Sequence, residues 1–99
     1  MKLSIVVPCY NEGETLEDFH QAVTETLSEV SLPYELIFVN DGSRDQTQLV
    51  LEKLTETDSS VRFITFSKNF GKESAMLAGI TYSSGDFVII MDADLQHPP

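Results

Sequence analysis

Four short apolar runs punctuate the chain: Leu3-Ser4-Ile5-Val6-Val7, Leu36-Ile37-Phe38-Val39, Val61-Arg62-Phe63-Ile64-Thr65-Phe66 and Phe87-Val88-Ile89-Ile90-Met91. They are rich in β-branched and aromatic residues and mostly continuous rather than alternating, the pattern of strands covered on both faces in a parallel sheet. Three helical stretches lie between them. In the first, Leu16, Phe19, Val23, Leu27 and Val30 recur three or four apart and form one apolar stripe. Asn11, with Glu14 three residues on, predicts its cap and acidic first turn. The second follows Ser43-Arg44-Asp45-Gln46, which has the capping-box spacing, and offers Val50, Leu51 and Leu54 to a core. The third, from about Lys72 to Tyr82, carries Ala75, Met76, Ala78, Gly79 and Ile80, small enough to sit close to a sheet.

The resulting order, β-α-β-α-β-α-β, with right-handed crossovers, predicts an α/β class: a Rossmann-like open, mainly parallel sheet with flanking helices, the nucleotide-binding half of such a fold. There is no internal repeat, low-complexity tract or linker. The sequence runs to His97-Pro98-Pro99 a few residues past the fourth apolar run, which reads as a loop leading onward in a longer protein. On that reading the fourth strand has an open edge and a bare sheet face, and self-association through that edge is expected.

Composition narrows the partners. Among 99 residues, 41% are hydrophobic and 22% charged, ordinary globular values that exclude a fully disordered chain. No stretch approaches the roughly 18–20 apolar residues of a membrane span, and Met1-Lys2 leads straight into a strand rather than into a signal peptide. Cys9 is the single cysteine, so no intrachain disulfide forms and a reducing, cytoplasmic setting is expected. Six basic against sixteen acidic residues give a net charge of −10, which argues against nucleic acid or anionic lipid as a partner of this segment. A phosphate-bearing ligand therefore needs a cation brought to it.

In an open parallel sheet, ligands bind beyond the carboxyl ends of the strands. The residues expected there are Pro8-Cys9-Tyr10-Asn11-Glu12, Asn40-Asp41-Gly42-Ser43, Ser67 to Lys72, and Asp92-Ala93-Asp94-Leu95-Gln96. Asp92 and Asp94 are the sharpest pair. Two apart in an extended segment, they point to one side at roughly 6–7 Å and repel each other unless a cation intervenes. Hard ions such as Mg²⁺ or Mn²⁺ suit such oxygens, and Gln96 offers another on the same side. The alternative is a solvated acidic loop. Asp41, in Asp-Gly-Ser, fits a turn with Ser43 as helix cap, and equally a carboxylate facing a base edge or ribose hydroxyl. Glu12 reads as a first-turn charge or as a ligand to the same nucleoside, and Tyr10 as core or as an aromatic wall. Lys68 and Lys72 flank Asn69-Phe70-Gly71 beside the site, where a helix N-terminus with a lysine suits a phosphate. The Walker A spacing and Gly-x-Gly-x-x-Gly are both absent. Lys68 and His20 read as surface residues, His97 as a loop histidine and Cys9 as a small packed residue.

Together, Val7-Pro8-Cys9-Tyr10-Asn11-Glu12, Val39-Asn40-Asp41-Gly42-Ser43-Arg44-Asp45 and Asp92-Ala93-Asp94 resemble the family 2 glycosyltransferases, inverting enzymes of the GT-A fold. Lys68-Asn69-Phe70-Gly71-Lys72-Glu73 and Asp92 to Pro99 further resemble the polyprenyl-phosphate sugar transferases, the group of bactoprenol glucosyltransferases and dolichyl-phosphate mannose synthases. The resemblance covers essentially all of the chain and makes residues 1–99 the N-terminal, nucleotide-sugar-binding part of a catalytic domain. It implies that Pro8, Tyr10, Glu12 and Asp41 hold the nucleoside of a UDP- or GDP-sugar. Asp92 and Asp94 would bind ribose and a metal-bridged diphosphate, with Gln96 as a further metal ligand. It also implies a lipid-phosphate acceptor, bound beyond residue 99, and a longer parent protein at the cytoplasmic face of a membrane. Two rival readings are a non-catalytic nucleotide-binding module and a haloacid-dehalogenase-like phosphatase, which also uses two aspartates two apart after a strand, usually the first.

Overall fold

The computed structural model describes residues 1–93. The elements follow the expected order: β1 (Leu3–Cys9), α1 (Leu16–Leu27), β2 (Tyr34–Asn40), α2 (Thr47–Thr57), β3 (Val61–Thr65), α3 (Lys72–Tyr82) and β4 (Phe87–Ile90). The strands form one parallel sheet in the order β3-β2-β1-β4, with Val6 opposite Ile37 on one side and Ile90 on the other. Strand alternation divides the core between the two faces. Ile5, Val7, Leu36 and Phe38 pack with the α1 stripe (Leu16, Phe19, Val23, Leu27) and with Val50, Leu51 and Leu54 of α2. The rings of Phe19 and Phe38 meet edge-to-face at 6.1 Å between centroids. Val6, Ile37 and Val39 face the other way and pack with Ala75 of α3. There the helix lies close to β1: a Cβ on Gly79 would fall 2.3 Å from Val6 Cγ1.

Several expectations need correction. β1 continues through Pro8 and Cys9, and β2 through Asn40, residues expected in the loops beyond them. Pro8 is tolerated because of the side it faces. The Val6 carbonyl accepts from Met91 N–H on the β4 side, and alternation puts the missing N–H of Pro8 on that side too, past the last paired residue of β4. Asn11 does not cap α1. The N-cap is Thr15, and Asn11, at φ +54°, turns the chain towards the β2–α2 loop instead. Nor does Ser43 cap α2, whose N-cap is Gln46; its hydroxyl accepts from Asn11 N–H at 2.9 Å. Val30 lies beyond the end of α1 and is exposed, and Ile80 of α3 is exposed as well. β4 is exposed along its whole length, so its continuous apolar run does not mark burial on both faces. β4 does hold the open edge expected of it among the described residues.

One buried charge had no sequence signal. Glu35, 3% exposed on β2 at the amino end of the sheet, accepts from Ser4 Oγ at 2.6 Å, Ser84 N–H at 2.7 Å and Arg62 at 2.9 Å. Burial alone would raise its pKa; these donors outweigh that and hold it at about 2.

Candidate nucleotide and metal site

The carboxyl ends of β1, β2 and β4 and the amino end of α3 meet at one edge of the sheet. Here Pro8, Tyr10, Glu12, Asp41, Lys72 and Asp92 line a single cavity of about 220 Å³. These are the six residues expected to hold a nucleotide. Parallel strands explain the convergence, because every strand delivers its last residues to the same edge.

The loops around the cavity are laced together. Asn11 Oδ1 accepts from Arg44 N–H at 2.8 Å, Thr47 Oγ1 accepts from Glu12 N–H at 3.1 Å, and Asp45 accepts from Gly13 N–H at 3.1 Å. Asp45 also accepts from the Thr47 hydroxyl and amide. Burial would raise the Asp45 pKa, but these bonds bring it below the usual carboxylate range. The β1–α1 and β2–α2 connections thus form one rigid wall.

Asp41 is 4% exposed, and the β3–α3 loop claims its carboxylate. Oδ1 accepts from Phe70 N–H at 2.8 Å, and Oδ2 accepts from Gly71 N–H at 3.0 Å and Asn69 Nδ2 at 3.1 Å. Asp41 therefore positions the start of α3 as well as lining the cavity. The next residue, Gly42, has φ +70°, and a Cβ there would lie 2.2 Å from the Lys68 carbonyl carbon. Only glycine combines that backbone with that approach.

Lys72, the first residue of α3, reaches across the cavity to Asp92, with Nζ 2.6 Å from Oδ1. Lys68 instead sits over the Phe70 ring, 5.3 Å from its centroid, and does not line this cavity. Among the described residues the lining holds three carboxylates against one ammonium, so a diphosphate entering it meets net repulsion from them without an added cation. Carboxylate oxygens are the donors that hard divalent ions select, and Asp92 supplies one at the rim. Asp94, Gln96 and His97 lie outside the described residues. Among the described residues no three His, Cys, Asp or Glu side chains converge on a metal position, so any divalent site here needs ligands beyond Asp92.

Cys9 and Ala93 complete the wall; Cys9 is also buried in the core, the small packed residue expected of it. The thiol is buried and donates to Val39 O at 3.5 Å. Burial, aided by Glu12, Asp45 and Asp41, pushes its pKa up to about 12, which leaves it a neutral wall and not a nucleophile. His20, expected on the surface, is half-buried and pairs with Asp58 Oδ2 at 2.8 Å, bracing α1 against the end of α2.

The model of the family described as "Glycosyl transferase family 2" matches residues 4–99. The chain belongs to that family. A curated relative, the putative glycosyltransferase CsbB of Bacillus subtilis (strain 168), is 46% identical over 97% of this chain and 29% of its own length. The prophage bactoprenol glucosyl transferase homolog of Escherichia coli (strain K12) is 42% identical over 99% of this chain and 32% of its own. The chain thus spans less than a third of either relative. Among solved structures, the mannosyltransferase PcManGT from Pyrobaculum calidifontis, in complex with GDP-Man and Mn²⁺, superposes with a TM-score of 0.78 at 25% identity, covering 93% of this chain and 27% of that one. Glucosyl-3-phosphoglycerate synthase from Mycobacterium tuberculosis, in complex with Mn²⁺, UDP and glucosyl-3-phosphoglycerate, gives 0.70 at 28% identity, covering 98% and 35%. The Rossmann-like parallel sheet of this family 2 chain is the architecture expected from its sequence.

Proposed function

We propose that the chain is the donor-binding part of an inverting glycosyltransferase that moves a sugar from a UDP- or GDP-sugar to an acceptor of polyprenyl-phosphate type. The observation that carries this reading is the convergence of Pro8, Tyr10, Glu12, Asp41, Lys72 and Asp92 on one cavity at the carboxyl edge of the sheet. Tyr10, Glu12 and Asp41 lie on the β1 and β2 side and suit the nucleoside. Lys72 and Asp92 lie on the α3 and β4 side and suit the diphosphate. Asp92, Asp94 and Gln96 would hold Mg²⁺ or Mn²⁺. Bound there, the ion would neutralise the diphosphate and stabilise the nucleoside diphosphate as it leaves.

The acceptor class rests on relatives such as the bactoprenol glucosyl transferase homolog. Among the described residues no helix is long and apolar enough to cross a membrane. Because positioning supplies much of the rate of transfer, the 99 residues alone bind nucleotide weakly and transfer nothing measurable.

The test is a calorimetric titration with UDP and GDP, each with and without Mn²⁺, beside an Asp92→Asn/Asp94→Asn double variant. Metal-dependent binding that the variant loses supports the reading. Binding indifferent to both metal and variant overturns it. Metal-dependent transfer to a polyprenyl phosphate by the 99-residue chain would refute its inactivity.

A further inference from the structure

Among the described residues Lys72 is the one cationic side chain in the lining of the nucleotide cavity, and it is paired with Asp92. Its backbone has little freedom, because Asp41 fixes the amides of Phe70 and Gly71 immediately before it. Its side chain is more than half exposed, as is that of Asp92, so this ion pair is easily exchanged. A divalent ion at Asp92 would share that carboxylate with Lys72 Nζ, 2.6 Å from Oδ1, and would meet the ammonium as a like charge. A diphosphate on the same ion gives the ammonium a new acceptor.

Resting on the donor-site reading above, we infer that Lys72 is an internal competitor for the metal position and couples metal binding to nucleotide binding. Without nucleotide it neutralises Asp92 and keeps metal affinity low. With nucleotide it passes to the diphosphate, releases Asp92 and adds to the binding of both. The site thereby discriminates against metal alone and against nucleotide alone.

The experiment measures Mn²⁺ binding from the free-ion electron paramagnetic resonance signal, without nucleotide and then with UDP or GDP. It compares the 99-residue chain with Lys72→Met, Lys72→Arg and Asp92→Asn. Lys72→Met is expected to bind Mn²⁺ alone roughly 3- to 10-fold more tightly, while the gain in Mn²⁺ affinity from nucleotide shrinks by a similar factor. Lys72→Arg keeps the charge and stays near the parent. If Lys72 merely held Asp92 in place, Lys72→Met would bind Mn²⁺ alone equally or less well; that result overturns the inference and leaves the donor site standing, provided Asp92→Asn loses Mn²⁺. If Asp92→Asn binds Mn²⁺ like the parent, or the parent shows no Mn²⁺-dependent nucleotide binding, the donor-site reading fails and the competition with it.

Discussion

The Asp41 carboxylate accepts the Gly71 amide at 3.0 Å, joining the end of β2 to the start of α3 across thirty residues of sequence. The same carboxylate binds Phe70 N–H and Asn69 Nδ2, so a buried anion organises the loop that delivers Lys72 to the cavity. Replacing Asp41 by Ala leaves those donors without their charged partner. We expect a loss of about 2–4 kcal/mol in urea denaturation and weaker nucleotide binding. Asp41→Asn keeps one acceptor oxygen but sets an amide against a backbone donor, and should fall between the two. An Asp41→Ala variant as stable as the parent would show that the loop is held by other contacts.

Gly42 tests the same loop from the opposite direction. A methyl group at that position meets the Lys68–Asn69 backbone at 2.2–2.4 Å, and the backbone cannot retreat without breaking the Asp41 bonds. Gly42→Ala should cost about 2–4 kcal/mol, combining left-handed strain with the clash. Nucleotide affinity measured by calorimetry at a temperature where the variant stays folded should fall as well. Unchanged affinity would mean that the loop can shift without disturbing the cavity.

The fold was legible where periodicity and topology cooperate. The apolar runs mark β1 and β2, the α1 stripe is buried from Leu16 to Leu27, and the rule that parallel strands share a carboxyl edge brought Pro8, Asp41 and Asp92 together from distant parts of the sequence. What stayed hidden depends on tertiary partners. Asn11 has the residue type and spacing of a cap, yet its side chain is captured by Arg44 N–H, 33 residues away. Ser43 has the capping-box spacing, yet its hydroxyl serves Asn11. β4 lies exposed at the sheet edge, as the open edge and bare face expected of it require, although its continuous apolar run taken alone points to burial on both faces. Glu35 sits in a strand where a charge looks misplaced, because its donors Ser4, Arg62 and Ser84 are scattered along the chain.

Glu35 should make folding stability depend on acid. Its pKa of about 2 in the folded chain lies below the ordinary value of 4.5, so the folded state favours the ionised form. The stabilisation is complete above about pH 4.5 and is lost as pH falls from there towards 2. Glu35→Gln should therefore cost about 1–3 kcal/mol at neutral pH. Its stability measured by urea denaturation should change less steeply than the parent's across that acid range. A parallel pair of pH curves would assign the acid sensitivity to other carboxylates.

The outer strand carries the remaining prediction. Phe87, Val88, Ile89 and Ile90 are 51%, 39%, 47% and 37% exposed, and among the described residues β4 pairs only with β1. An uncharged apolar edge with free backbone donors and acceptors is a template for another strand. The net charge of −10 opposes that association at low salt, and screening removes the opposition. Sedimentation of the 99-residue chain should show concentration-dependent self-association that grows with salt. Ile89→Lys, which puts a charge at the centre of the exposed strand, should abolish it while preserving the far-UV circular dichroism. A chain that stays monomeric at high concentration and high salt would mean that this edge does not pair with its own kind.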